Sequence, residues 1–246
     1  KPPTPDSSIQ NAEAAVRSFL SRRVSLAVLG LFAIWAGARP AGAAAAPGAS
    51  TSPAAGAAIH HDSITEIDRL YFHRHLPDNL EKSLTAIDAG LRDRPDDARL
   101  LWRRGRSLVR MGERKKGKRE RLPAFEEAEG LLRRAVERDP ADPEAHFWLG
   151  IAWGRIGQAR GILKSLFLVA PIRREMRKTL ELQPSHGGAH HVLGEVYRQI
   201  PGFAGGSKRE ALREFEAAVA GSPNYTVNYV ALAELQLALG DKDKAR

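Results

Sequence analysis

Pro140-Ala141-Asp142-Pro143-Glu144-Ala145-His146-Phe147-Trp148-Leu149-Gly150 decides the fold, because its spacing recurs along the chain. Gly150 stands ten residues after Pro140, and the same step leads from Pro95 to Gly105, Pro184 to Gly194 and Pro223 to Ala233. Twelve residues before each proline stand Ser83, Ala128, Ile172 and Ala211; four residues after those come Ile87, Leu132, Met176 and Phe215. Small residues let paired helices touch, and the proline ends the second helix of each pair. Asp142-Pro143 reads as an N-cap followed by proline at the first helical position. Ser63-Ile64-Thr65-Glu66 and Ser207-Lys208-Arg209-Glu210 read as capping boxes. No strand pattern competes, so the expectation is all-α.

The first unit spans residues 64–97, close to a period of about 34 residues. Units at 98–142, 143–186 and 187–225 follow, with an incomplete fifth at 226–246. Successive prolines lie 45, 44 and 39 residues apart, so units two to four carry insertions. Because the flanking spacings stay fixed, the surplus is expected in the turn between the two helices of a unit. All three insertions should then lie along one edge of the stack.

These anchors resemble the tetratricopeptide repeat (TPR) pattern. The resemblance implies a right-handed α-solenoid of about four and a half helix pairs, with insertions in the intra-repeat turns. Trp153-Gly154-Arg155, Leu163-Lys164-Ser165-Leu166-Phe167-Leu168-Val169, Pro171-Ile172-Arg173, Ala189-His190-His191-Val192-Leu193-Gly194 and Pro201-Gly202-Phe203-Ala204-Gly205-Gly206-Ser207 add a finer likeness. They resemble bacterial relatives of the regulator-of-microtubule-dynamics proteins, a group similar to the T-component proteins of TRAP transporters. That likeness implies an exported, periplasmic or lipid-proximal adaptor, either monomeric or oligomeric, with no catalytic residues to carry over.

In a TPR stack the first helices line the concave groove. Its groove positions map onto Arg99, Trp102, Arg106 and Arg110, then Phe147, Ile151 and Arg155, then His191, Glu195 and Arg198. Aromatics beside guanidiniums suit a carboxylate-bearing ligand, since arginine forks onto carboxylates and the ring supplies apolar area. The other reading is a solvated inner face. The carboxylate clamp of chaperone-binding TPR domains is not reproduced.

The insertions differ in chemistry. Residues 113–123 hold Arg114, Lys115, Lys116, Lys118, Arg119 and Arg121, either a solvated loop or a dock for anionic surfaces. Residues 161–170 carry an apolar helical stripe at 162, 163, 166, 167 and 170, read as packing on the solenoid or as a partner or lipid contact. Residues 202–208 lack the spacing of a phosphate loop and read as a glycine turn into Ser207. His186, His190 and His191 read as packing or groove lining, so no metal site and no cofactor is expected.

Cysteine is absent, which excludes disulfides and thiolate chemistry. Of the 38 Lys and Arg, eleven fall between Arg99 and Arg121 against two acids there; elsewhere 27 cations balance 27 acids. The formal charge of +9 is therefore local. Ser21-Arg22-Arg23, an apolar run from Val24 to Ala38 and the small residues Ala41-Gly42-Ala43 read as a targeting segment over 1–43, a cleavable signal peptide similar to the twin-arginine type, with an uncleaved anchor as the alternative. An Ala/Gly/Ser/Pro-rich linker over 44–62 and the solenoid over 63–246 follow.

The expected protein is non-catalytic and exported: periplasmic or membrane-associated, with an organelle lumen left open. It holds a protein or peptide partner, acidic in character, in the groove, with membrane-surface contact through 113–121 or 161–170. No nucleic-acid partner is expected, because export removes the protein from nucleic acid. The alternative is a transport accessory enclosing a small organic anion or a lipid-like ligand.

Overall fold

The computed structural model describes residues 55–240, apart from the side chains of 55–62, 162–165 and Ala204. The targeting segment and the first part of the linker lie outside those residues. The described residues form nine α-helices and a short 3-10 turn, with no strand. The helices are α1 (Ala55–Phe72), α2 (Asn79–Asp93), α3 (Ala98–Arg114), α4 (Lys118–Arg138), α5 (Pro143–Arg160), α6 (Ile162–Leu182), α7 (Gly187–Gln199), α8 (Lys208–Gly221) and α9 (Thr226–Leu239). Each helix packs on the next in sequence, and α3 also touches α5, so first helices line up beside one another. This is an all-α solenoid of the TPR type.

Knob-and-notch contacts hold the α3–α4, α5–α6 and α7–α8 pairs. A Cβ on Gly105 would lie 2.5 Å from Leu132, one on Gly150 2.3 Å from Met176 and one on Gly194 2.6 Å from Phe215. Ser83, Ala128 and Ala211 are fully buried at the matching positions, as are Ile87 and the three knobs. Close axial approach is thus built from the same two residue types in each pair.

One turn is used four times between pairs. The C-caps Arg94, Asp139, Gln183 and Ser222 have φ between −138° and −144° and ψ between 68° and 87°. Each is followed by a proline and, three residues on, by an extended N-cap: Asp97, Asp142, His186 or Tyr225. Asp97 accepts from the Arg99 amide, Asp142 from Glu144 and Ala145, and His186 from Ala189 through Nδ1. Ser207 accepts from the Glu210 amide, as its capping box requires. Ser63 does not cap: α1 already begins at Ala55, within the stretch read as linker. Alanine's high helix propensity explains the extension.

Two insertions behave differently from the turn expected. Residues 113–123 give α3 its last turn and α4 its first two, leaving only 115–117 between the helices. Residues 161–170 become the start of α6, separated from α5 by Gly161 alone, whose φ of 95° breaks the helix. Pro123 and Pro171 sit inside these helices, at the sixth and tenth residues, where each removes one backbone hydrogen bond from the helix. Only the third insertion stays a turn. There Gly205 has φ 90°, and a Cβ on Gly206 would fall 1.7 Å from the Ile200 carbonyl. The repeat register survives because helix lengthening adds material beyond the paired knobs.

Candidate functional site: an arginine–aromatic seam between first helices

The seam is built where α3 meets α1 on one side and α5 on the other. Arg103 and Arg106 both bond Asp68 of α1, each with a closest contact of 2.7 Å. The Arg106 guanidinium lies 3.6 Å from the Tyr71 ring centre and 4.9 Å from that of Trp102. One turn on, Arg110 donates to the Tyr71 hydroxyl at 3.1 Å and to Glu113 at 2.7 Å. Arg155 of α5 bonds the other oxygen of Glu113. Trp148 of α5 meets Tyr71 edge-on at 6.5 Å and lies 5.1 Å from the Arg110 guanidinium. Glu144 accepts from Trp148 Nε1 at 3.1 Å and faces His186 Nε2 at 3.3 Å. Because His186 Nδ1 accepts the Ala189 amide, Nε2 carries the proton toward Glu144.

Burial controls the electrostatics. Arg106 is 5% exposed, and burial lowers its pKa against the opposing Tyr71 and Asp68. Arg155 is lowered the same way despite Glu113. Burial would raise Asp68, but the Arg103 and Arg106 guanidiniums hold its carboxyl below the usual range. Asp68 and Glu113 are each shared by two guanidiniums. Arg106 Nε and Trp102 Nε1 are buried donors with no hydrogen-bond partner among the described residues.

The expected groove residues separate into three groups. Trp102, Arg106, Arg110 and Arg155 come together in the seam. Phe147 and Ile151 do not line an open surface. Both are buried, Phe147 against the His186 ring at 4.6 Å, because α5 turns Glu144 and Trp148 toward α3 instead. His191 is likewise inside, 5.6 Å from the Phe215 ring, and burial pushes its pKa down to about 4. Arg99 stays exposed on its own cap Asp97, and Arg198 pairs with Glu195 and Glu234. Asp68 and Glu144 occupy the fifth and second positions of their repeats, so the mapping that found Trp102 reaches them too. Tyr71, Glu113 and Trp148 lie outside that mapping.

The histidines serve the scaffold. His146 contacts Glu175 at 2.7 Å and the Pro140 carbonyl at 3.0 Å; His190 contacts Glu214 at 2.7 Å and the Pro184 carbonyl at 2.9 Å. Two acceptors require two N–H groups, so both rings are held as imidazolium. Burial opposes this, but the glutamate and carbonyl raise both pKa values, with Lys178 weakly opposed at His146. A raised histidine stabilises fully below the unfolded pKa of about 6.5 and loses that contribution as pH rises through its folded pKa. His191, lowered, does the reverse: its contribution is present above about 6.5 and lost toward its folded value of about 4. Stability should therefore peak at about pH 6.5. Urea midpoints across pH test this, and a His146→Gln/His190→Gln chain should lose the decline on the alkaline side only.

No group of histidine and acidic side chains among the described residues could hold a metal ion. No helix among them is long and apolar enough to cross a membrane. The stripe on α6 closes over nothing at Phe167, which is 84% exposed.

A ladder of first helices with a knob-and-notch second layer defines a TPR-type helical-repeat scaffold, a fold that suggests a protein-binding adaptor. The chain belongs to the family described as regulator of microtubule dynamics protein 1-3, whose model matches residues 64–246. It is 26% identical over 167 residues to regulator of microtubule dynamics protein 1 of Mus musculus, covering 61% of this chain and 55% of that protein. The Bos taurus protein of that name is 28% identical over 168 residues, covering 61% and 53%. The chain thus spans about half the length of these relatives. A thermophilic TPR protein of Thermus thermophilus shares the fold, with a TM-score of 0.58 at 19% identity over 75% of this chain and 85% of that one.

Proposed function

We propose that the chain is a non-catalytic adaptor that binds a protein or peptide partner along the first-helix seam, engaging carboxylates of that partner. The observation that carries this is the row of guanidiniums and aromatic rings on the first helices, where Arg103 and Arg106 share the single carboxylate of Asp68 beside Tyr71 and Trp102. The mammalian relatives are named as regulators of microtubule dynamics, a protein assembly, which agrees with a protein partner.

A photo-crosslinking residue at Arg99, exposed at the start of α3 one turn before Arg103, should capture the partner from native extract, whereas one at Glu137, on α4, should not. Against the captured partner, Arg106→Met should weaken binding by about 1.5–3 kcal/mol, typical of hydrogen bonds to charged groups, with circular dichroism confirming the fold. Equal capture from both positions removes the seam as the binding surface.

We also infer an extracytoplasmic site of action, supported by Arg22-Arg23 ahead of the apolar run Val24–Ala38 and the small residues after it. N-terminal sequencing of the natural protein should then find a mature chain beginning near Ala44 to Pro47. A chain retaining Arg22-Arg23 points to an anchor instead.

A further inference from the structure

All three insertions fall between the two helices of their pairs, so they share one edge of the solenoid. The edge is continuous: Arg160 at the end of α5 bonds Glu126 of α4 at 2.6 Å. A Cβ on Gly205 of the third turn would lie 3.0 Å from Arg173 of α6. Two phenylalanines stand proud of this edge, Phe167 on α6 at 84% exposure and Phe203 in the 3-10 turn at 82%. Leu166 is also exposed, beside Phe167. The insertions also carry exposed cations: Lys115, Lys116 and Arg119 on the first, and Lys208 and Arg209 directly after the third.

We propose that this edge docks the solenoid onto an anionic membrane surface, with Phe167 and Phe203 among the acyl chains and the cations over the phosphates. Apolar tips below a layer of positive charge match the depth profile of a bilayer interface, where hydrocarbon lies beneath anionic headgroups. Burying two phenylalanines stabilises only marginally, so the cations must supply the rest and the docking must be reversible and salt-sensitive. The seam is not involved, so the two readings stand or fall separately.

The chain contains no cysteine, so single cysteines can carry a polarity-sensitive fluorophore in the full-length protein. Phe167→Cys and Phe203→Cys report from the edge, and Ser185→Cys, in the turn between pairs, serves as control. Vesicles of phosphatidylcholine mixed with phosphatidylglycerol should blue-shift the two edge labels and leave the control unchanged. Pure phosphatidylcholine, or added salt, should abolish the shift. Lys115→Gln, Lys116→Gln and Arg119→Gln should each weaken the titration by roughly fivefold. The proposal is overturned if the edge labels stay aqueous while the chain sediments with vesicles, which would place attachment elsewhere. It is equally overturned if neutral and anionic vesicles act alike, or if a soluble protein shifts the labels without vesicles.

Discussion

Asp68→Asn is expected to lower the unfolding free energy by about 3 kcal/mol, the low end for breaking a buried ion pair. Two guanidiniums depend on this one carboxylate, and Arg106 is almost wholly buried behind it. The Asp68 side chain keeps a quarter of its surface exposed, so water partly replaces what is lost and the upper end is not reached. Adding Arg106→Met removes the stranded charge and fills its place beside Tyr71 and Trp102, so the double variant should recover most of the loss. Urea denaturation of the four-member cycle measures the coupling. Were Asp68→Asn to fall within about 0.5 kcal/mol of wild type, as an ordinary surface change does, the seam would contribute nothing to stability.

Phe215→Ala should cost about 3–5 kcal/mol, because a fully buried ring is removed and its neighbours cannot collapse into the space. Its core contains Ala211, Ala231 and Leu235 on α8 and α9, with Gly194 of α7 against the ring and His191 at 5.6 Å. Since repeats contact mainly their neighbours, the damage should stay local. Hydrogen exchange should accelerate in α7 to α9 while α3 and α4 keep their protection. Uniform acceleration from α1 to α9 would show that the solenoid unfolds only as a whole.

Much of the second layer was legible in the sequence because axial spacing is what a repeat conserves. Pro140 to Gly150 and Ala128 to Leu132 each fix a height along a helix, and the knobs found their notches at those heights. Rotation about the helix axis is a different quantity. One residue of offset swings a side chain by about 100°, so Phe147 and Trp148 face different neighbours although both sit at groove height. Phe147 went to His186, and Trp148 went to Tyr71 and Arg110. The long-range partners were out of reach for the same reason: nothing in the spacing ties Arg106 to Asp68, 38 residues earlier. Insertion length was readable, but helix extension was not, because Lys118–Pro123 looks like a charged loop until it is seen to continue the face that buries Phe125. The histidines show the limit most clearly. His146 and His190 are equivalent positions whose role needs Glu175 and Glu214 from the other helix of each pair.

The repeated turn at Pro95, Pro140, Pro184 and Pro223 has a consequence for how the protein is made. Hydrogen bonds between neighbouring units, such as Arg138 to Asp96 and His186 to Glu144, span 42 residues, about one repeat. Most of what holds the first pairs forms without the last, although Tyr225 lies within electrostatic reach of Arg74. During synthesis, at about 5–20 residues per second, each unit leaving the ribosome meets its neighbour's finished face within seconds. The chain can then harden from its N-terminal side as a growing column. Its sticky knobs are covered in the order they are translated, so no long unfolded stretch has to wait for distant sequence.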